Sequence, residues 1–154
     1  MKFVVALLIV SSTALFQGSN SSDGGYHLPI ETSSVKRVYN SFTEFRYFPI
    51  HGPRKKPSDV KFVAPTGTPV YAIQDGTVRN AERAFGYGNQ IEINHPGNIK
   101  AMYYHLDSIY VKAGKSVRKG QQIGTVGCTG ITTAPNLGLE ISRHDSICLL
   151  YTSD

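Results

Sequence analysis

The sequence predicts an all-β fold, a compact antiparallel sandwich or barrel-like core. Three observations predict it. Valine, isoleucine and tyrosine dominate the apolar residues, and these types fit a pleated, half-buried surface. The chain carries 15 glycines and 8 prolines, which cut it into short runs separated by turns. No window has the periodicity of a long helix. At 154 residues the chain suits one domain plus a leader, and it can bury a core without metals or disulfides.

Residues 1–20 have the layout of a secretory signal peptide. Lys2 precedes an apolar run from Phe3 to Val10 that Ser11, Ser12 and Thr13 dilute, and small polar residues from Gly18 to Ser22 follow. A membrane anchor needs ~20 apolar residues, so no stable span is expected once the signal is cleaved. The mature chain is expected to be secreted or to reside in the periplasm or cell envelope. Residues 21–50 form an N-terminal extension. It opens on a polar, glycine-rich stretch, and Val35 to Phe48 alternates loosely, as a strand or an adaptor against the domain would.

The domain itself is expected over residues 51–147. Short strands are predicted at Val60–Ala64, Pro69–Ile73, Gly76–Arg79, Gln90–Asn94, Ala101–Leu106, Gln121–Val126 and Leu137–Arg143. Turn signals separate them: Pro65-Thr66-Gly67, Asp75-Gly76, Gly86-Tyr87-Gly88-Asn89, Pro96-Gly97, Lys119-Gly120 and Gly127 to Gly130. Residues 148–154 read as foreign. Cys-Leu-Leu-Tyr-Thr-Ser-Asp resembles the translation of a transposase adapter used to prepare sequencing libraries, so the natural C-terminus is expected to be missing. Cys128 is then the single native cysteine, with no intramolecular disulfide to propose. The net charge of +5 fits an anionic polymer as partner. No basic run is interleaved with stacking aromatics, which argues against nucleic acid.

Several segments are recognisable together. Ala64-Pro65-Thr66-Gly67-Thr68-Pro69-Val70-Tyr71-Ala72 leads to Asp75-Gly76-Thr77-Val78, and Gly86 to His95 follows. Then come Tyr103-Tyr104-His105-Leu106, Val117 to Gly124, Gly127-Cys128-Thr129-Gly130 and Pro135-Asn136-Leu137-Gly138-Leu139-Glu140. In this order and spacing, from about His51 to Arg143, they resemble the lysostaphin/LytM family of zinc endopeptidases. The resemblance implies the LytM type of β core, a duplicated hybrid motif, with a groove along one face. It also implies one zinc held by the His and Asp of a His-x-Gly-x-Asp-Phe pattern and by the second His of a His-x-His pair. Zinc would lower the pKa of bound water from ~15.7 to about 7 and polarise the scissile carbonyl.

The matching positions do not carry those residues. Phe62-Val63-Ala64-Pro65 sets the register, so the family's Asp falls on Lys61 and its first His on Pro57. The His-x-His pair falls on Asn136 and Gly138. Proline and glycine offer no side-chain donor, and an ammonium repels a dication. Zinc is therefore not expected here, and no metal-binding or confident catalytic residue is assigned. His105 is the one family catalytic position retained. Strand alternation predicts that Tyr103 and His105 face the groove while Met102, Tyr104 and Leu106 face away. The candidate binding residues are His105, Tyr103, Asn136, Lys61 and Glu140. Lys61 is expected to point into the vestigial site near Asn136 or Glu140 and to replace the ion structurally.

The resemblance, with the ligands lost, implies an exported non-catalytic domain that binds peptidoglycan or regulates a cell-wall amidase or other hydrolase. The alternative is an active metalloendopeptidase with an unorthodox site. A phosphocarrier or biotinyl/lipoyl-type carrier shares related β motifs, but an export signal and the absence of a lysine beside Met102 count against it.

Overall fold

The computed structural model describes residues 25–40, 59–143 and 146–147. The expected signal peptide, Pro57 and residues 148–154 lie outside the described residues. Among the described residues the fold is all-β apart from one 3-10 turn, Thr32–Ser34. The strands are β1 (Arg37–Asn40), β2 (Asp59–Val63), β3 (Pro69–Tyr71), β4 (Gly76–Ala84), β5 (Gly88–His95), β6 (Ile99–Ile109), β7 (Ser116–Val117), β8 (Gln122–Val126), β9 (Asn136–Arg143) and β10 (Ser146–Ile147). Every segment expected as a strand from Val60 onward contains one. The hairpin β4–β5 runs further than its alternation suggested, to Ala84 and from Gly88, because the Phe85–Tyr87 turn continues the ladder directly.

The main path of the sheet is β1-β2-β9-β6-β5-β4-β7, and every pairing is antiparallel. β6 is the longest strand and joins two layers. On one edge it pairs with β5 as far as Leu106; on the other it pairs with β9 up to Tyr104 and then, at Leu106 and Ile109, with β8, which in turn pairs with β3. The change of partner falls at His105, whose φ is +65°. A non-glycine residue seldom adopts that left-handed conformation, so the surroundings must hold it there.

Between the layers lies the core, which includes Phe62, Val70, Val78, Ile91, Ile93, Tyr103, Leu106, Ile123, Val126, Leu137 and Leu139. Removing these side chains from water supplies the main driving force for the fold. The N-terminal extension is part of this packing. His27 N donates to Ile73 O and Tyr71 N donates to Pro29 O, at 2.7 and 2.9 Å, and Ile30 is buried. β1 pairs along β2 from Arg37↔Val63 to Asn40↔Val60. No helix among the described residues is long and apolar enough to cross a membrane.

Candidate functional site

The outer face of β2, β9 and β6 is built from directly opposed residues. Lys61 faces Gly138, and Gly138 faces Tyr104. One step along, Asp59 faces Glu140, Glu140 faces Met102, and Met102 faces Glu92. Alternation sends the intervening Phe62, Leu137, Leu139 and Tyr103 into the core. The two rows therefore form a polar floor over an apolar interior.

Lys61 and Asp59 are both almost fully buried, with side chains 8% exposed, and the Lys61 ammonium lies 3.8 Å from Asp59 Oδ2. The Tyr104 hydroxyl donates a hydrogen bond to the same Asp59 oxygen. Burial, then the charge and hydrogen bond of Asp59 and the charge of Glu140, push the Tyr104 hydroxyl well above the usual phenol range. Tyr104 is thus a permanent donor. Its ring lies across Gly138, where a Cβ would overlap ring atoms Cε2, Cζ and Cδ2. Tyr87 meets the ring edge-on, with centroids 5.2 Å apart, and His105 meets it at 4.8 Å. Edge-to-face contacts of this kind are the preferred geometry of aromatic quadrupoles.

His105 is buried, and its Nδ1–H donates to Thr129 O at 2.8 Å. Thr129 is itself anchored, its hydroxyl donating to Leu106 O and accepting from Asn89 N. The loop carrying it approaches the β4–β5 turn so closely that Gly88 (φ +71°) and Gly130 (φ +80°) leave no room for a Cβ.

Asn136 is 1% exposed. Its Nδ2 donates to Thr132 Oγ1 and Ala134 O, both at 2.7 Å. A carbonyl needs a donor, so this orientation is required, and it leaves Oδ1 buried without a hydrogen-bond partner among the described residues. Lys61 stands beside Asp59; of the two acceptors expected for it, Asn136 and Glu140, Asn136 Oδ1 makes no hydrogen bond to it among the described residues.

Tyr103 needs a correction. It is fully buried in the core, where its hydroxyl accepts a hydrogen bond from Ile73 N at 3.0 Å. Simple alternation assumed extended backbone throughout β6. The left-handed turn at His105 instead brings that ring beside Tyr104, whereas Tyr103 stays on the opposite face. The reading also missed Asp59 and Tyr104. Asp59 had a signal, since it lies two residues from Lys61 on one strand and must share its face.

Two concavities lie away from this cluster. One, of about 430 Å³, is lined by residues including Arg79, Asn94, His95, Lys100 and Ser142, and the other, of about 320 Å³, by residues including Arg83, Phe85 and Ile131. Glu92, near the first, accepts from Arg79 at 2.8 Å and lies 3.5 Å from Lys100. Among the described residues, no group of three or more His, Cys, Asp or Glu side chains is placed to hold a metal ion. Cys128 is an exposed free thiol.

The pattern of strands and loops can now be compared with known proteins. The model of peptidase family M23 matches residues 56–148. The chain belongs to peptidase family M23. Among its M23-type relatives, the peptidoglycan DD-endopeptidase ShyC of Vibrio cholerae is 38% identical over 105 residues, covering 68% of this chain and 24% of that protein. The DD-carboxypeptidase/endopeptidase Mpg of Neisseria meningitidis is 37% identical over 117 residues, covering 76% of this chain and 26% of that protein. The M23 chain thus spans about a quarter of the length of these curated relatives. Its fold is similar to that of a zinc-containing peptidase from Vibrio cholerae, with TM-score 0.71 and 31% identity over 84% of this chain and 40% of the other. It is also similar to the catalytic domain of lysostaphin from Staphylococcus simulans, with TM-score 0.60 and 32% identity over 68% and 78% of the two chains. The lysostaphin-type resemblance and the all-β antiparallel architecture read from the sequence both hold.

Proposed function

We propose that this chain is an exported, non-catalytic M23 domain that binds peptidoglycan or regulates a cell-wall hydrolase. The observation that carries the reading is the Lys61–Gly138 pair. These are two of the positions that the resemblance assigns to zinc ligands, and they face each other across the β2–β9 ladder. A zinc site needs thiolate, imidazole or carboxylate donors. An ammonium, a glycine and an amide at 61, 138 and 136 do not fit that requirement, so no hydrolytic step is routed through a metal here.

Binding makes fewer demands than hydrolysis. An extended peptide needs a groove with aromatic walls and a few placed polar groups. Tyr87 is exposed and packs edge-on against Tyr104, so it offers an aromatic face to such a ligand. His105 and Glu140 lie along the same floor. The relatives named as peptidoglycan endopeptidases support peptidoglycan as the polymer. The alternative, an active metalloendopeptidase with an unorthodox site, draws on those names and on His105.

Sedimentation of the purified chain with insoluble peptidoglycan, with zinc measured on the same sample, tests the reading. Co-sedimentation that persists in chelator, without release of peptides, is expected. Chelator-sensitive peptide release that His105→Ala abolishes would establish the enzyme instead.

A further inference from the structure

We infer that Tyr104 has taken the space of a side chain at position 138, so that the Tyr104–Asp59–Lys61 cluster is a built replacement for a metal centre and bars its return. The inference deepens the non-catalytic reading and rests on it for the word replacement; the packing relationship stands by itself.

Four observations converge. A Cβ at Gly138 would overlap three atoms of the Tyr104 ring, so a ligand side chain at 138 and this position of the ring exclude each other. The ring is held from its far end, where the hydroxyl donates to Asp59. It is also held from its edges, by Tyr87 and His105. The cation that balances Asp59 is Lys61, 3.8 Å away on the same strand and directly opposite Gly138.

The cluster supplies what a metal centre supplies. A metal ion brings positive charge and cross-links strands by bonding side chains from each. Here the ammonium of Lys61 brings the charge, and the Tyr104–Asp59 bond links β6 to β2 across β9. The ring fills the volume. Because β9 lies between them, its residue at 138 must be small enough for the bond to pass over it. The glycine is then a requirement of the bond as well as the loss of a ligand. Restoring the ligand residues alone would leave the ring in the space of the ligand side chain at 138.

A double-substitution cycle tests the packing. Gly138→Ala is expected to lower the thermal midpoint by about 5 °C or more when Tyr104 is present, the size of a core overpacking penalty in a small domain. In a Tyr104→Ala background the same change is expected to have less than half that effect. An equal drop in both backgrounds overturns the inference. The metal arm compares two variants carrying Pro57→His, Lys61→Asp, Asn136→His and Gly138→His, one with Tyr104 and one with Tyr104→Ala. Zinc titrated calorimetrically should bind at one per chain only in the second. Equal binding by both, or by neither, overturns the claim that the ring bars the metal. Failure of the unaltered chain to sediment with peptidoglycan would leave both arms standing and sink only the binding reading.

Discussion

Tyr104 and Asp59 are joined by a buried hydrogen bond across 45 positions of sequence, from the middle of β6 to the start of β2. The bond passes over Gly138 of β9, the strand between them. It ties three strands together and makes Asp59 the acceptor shared by Tyr104 and Lys61.

Removing the hydroxyl alone should be measurable. Tyr104→Phe keeps the ring over Gly138 and leaves a buried carboxylate short of one donor. A loss of about 1–3 kcal/mol is expected in urea denaturation. No change in the transition midpoint would show that the bond contributes nothing net.

Lys61→Met removes the cation beside a buried anion. Breaking a buried pair from one side costs roughly 3–5 kcal/mol, far more than an ordinary surface change. Arg79→Ala is the contrast. Its side chain is 58% exposed although it lies 2.8 Å from Glu92, so under about 1 kcal/mol is expected. Similar losses for the two variants would place Lys61 among the solvated lysines.

Tyr103→Phe tests the corrected position of Tyr103. The buried Ile73 N–H would lose its acceptor, at a cost of about 1–3 kcal/mol. Sedimentation with peptidoglycan should be unchanged for the folded variant. A selective loss of binding with unaltered stability would return Tyr103 to the groove.

His95 predicts a pH dependence. Burial lowers its pKa below the usual 6.5, against the opposing influence of Asp75. Its Nδ1–H donates to Asp75 O at 2.8 Å, and Nε2 is buried without a hydrogen-bond partner among the described residues. A depressed histidine pKa means that the unfolded chain binds the proton more readily. The stabilisation is therefore complete above 6.5 and is lost as pH falls from there through the lowered folded value. Denaturation midpoints of the unaltered chain and of His95→Asn, compared at pH 7.5 and pH 5.5, check this. The unaltered chain should lose more stability on acidification, and parallel losses would refute the assignment.

Much was legible in the sequence by itself. Alternating valine and isoleucine runs between glycine turns determined the strands, because side-chain periodicity and turn chemistry are local properties. The ordered motifs from Ala64 to Glu140 determined the family, and the register at Phe62-Val63-Ala64-Pro65 placed Lys61, Asn136 and Gly138. Tertiary structure alone decided what occupies the floor. Period-two alternation holds only while the backbone stays extended, and the φ of +65° at His105 breaks it, bringing that ring beside Tyr104. The strand order β2-β9-β6, set by burial of the shared core, then brings Asp59 within reach of Tyr104 and leaves Gly138 beneath the ring. A contact between residues so distant in sequence depends on which strands become neighbours, and local patterning carries no record of that choice.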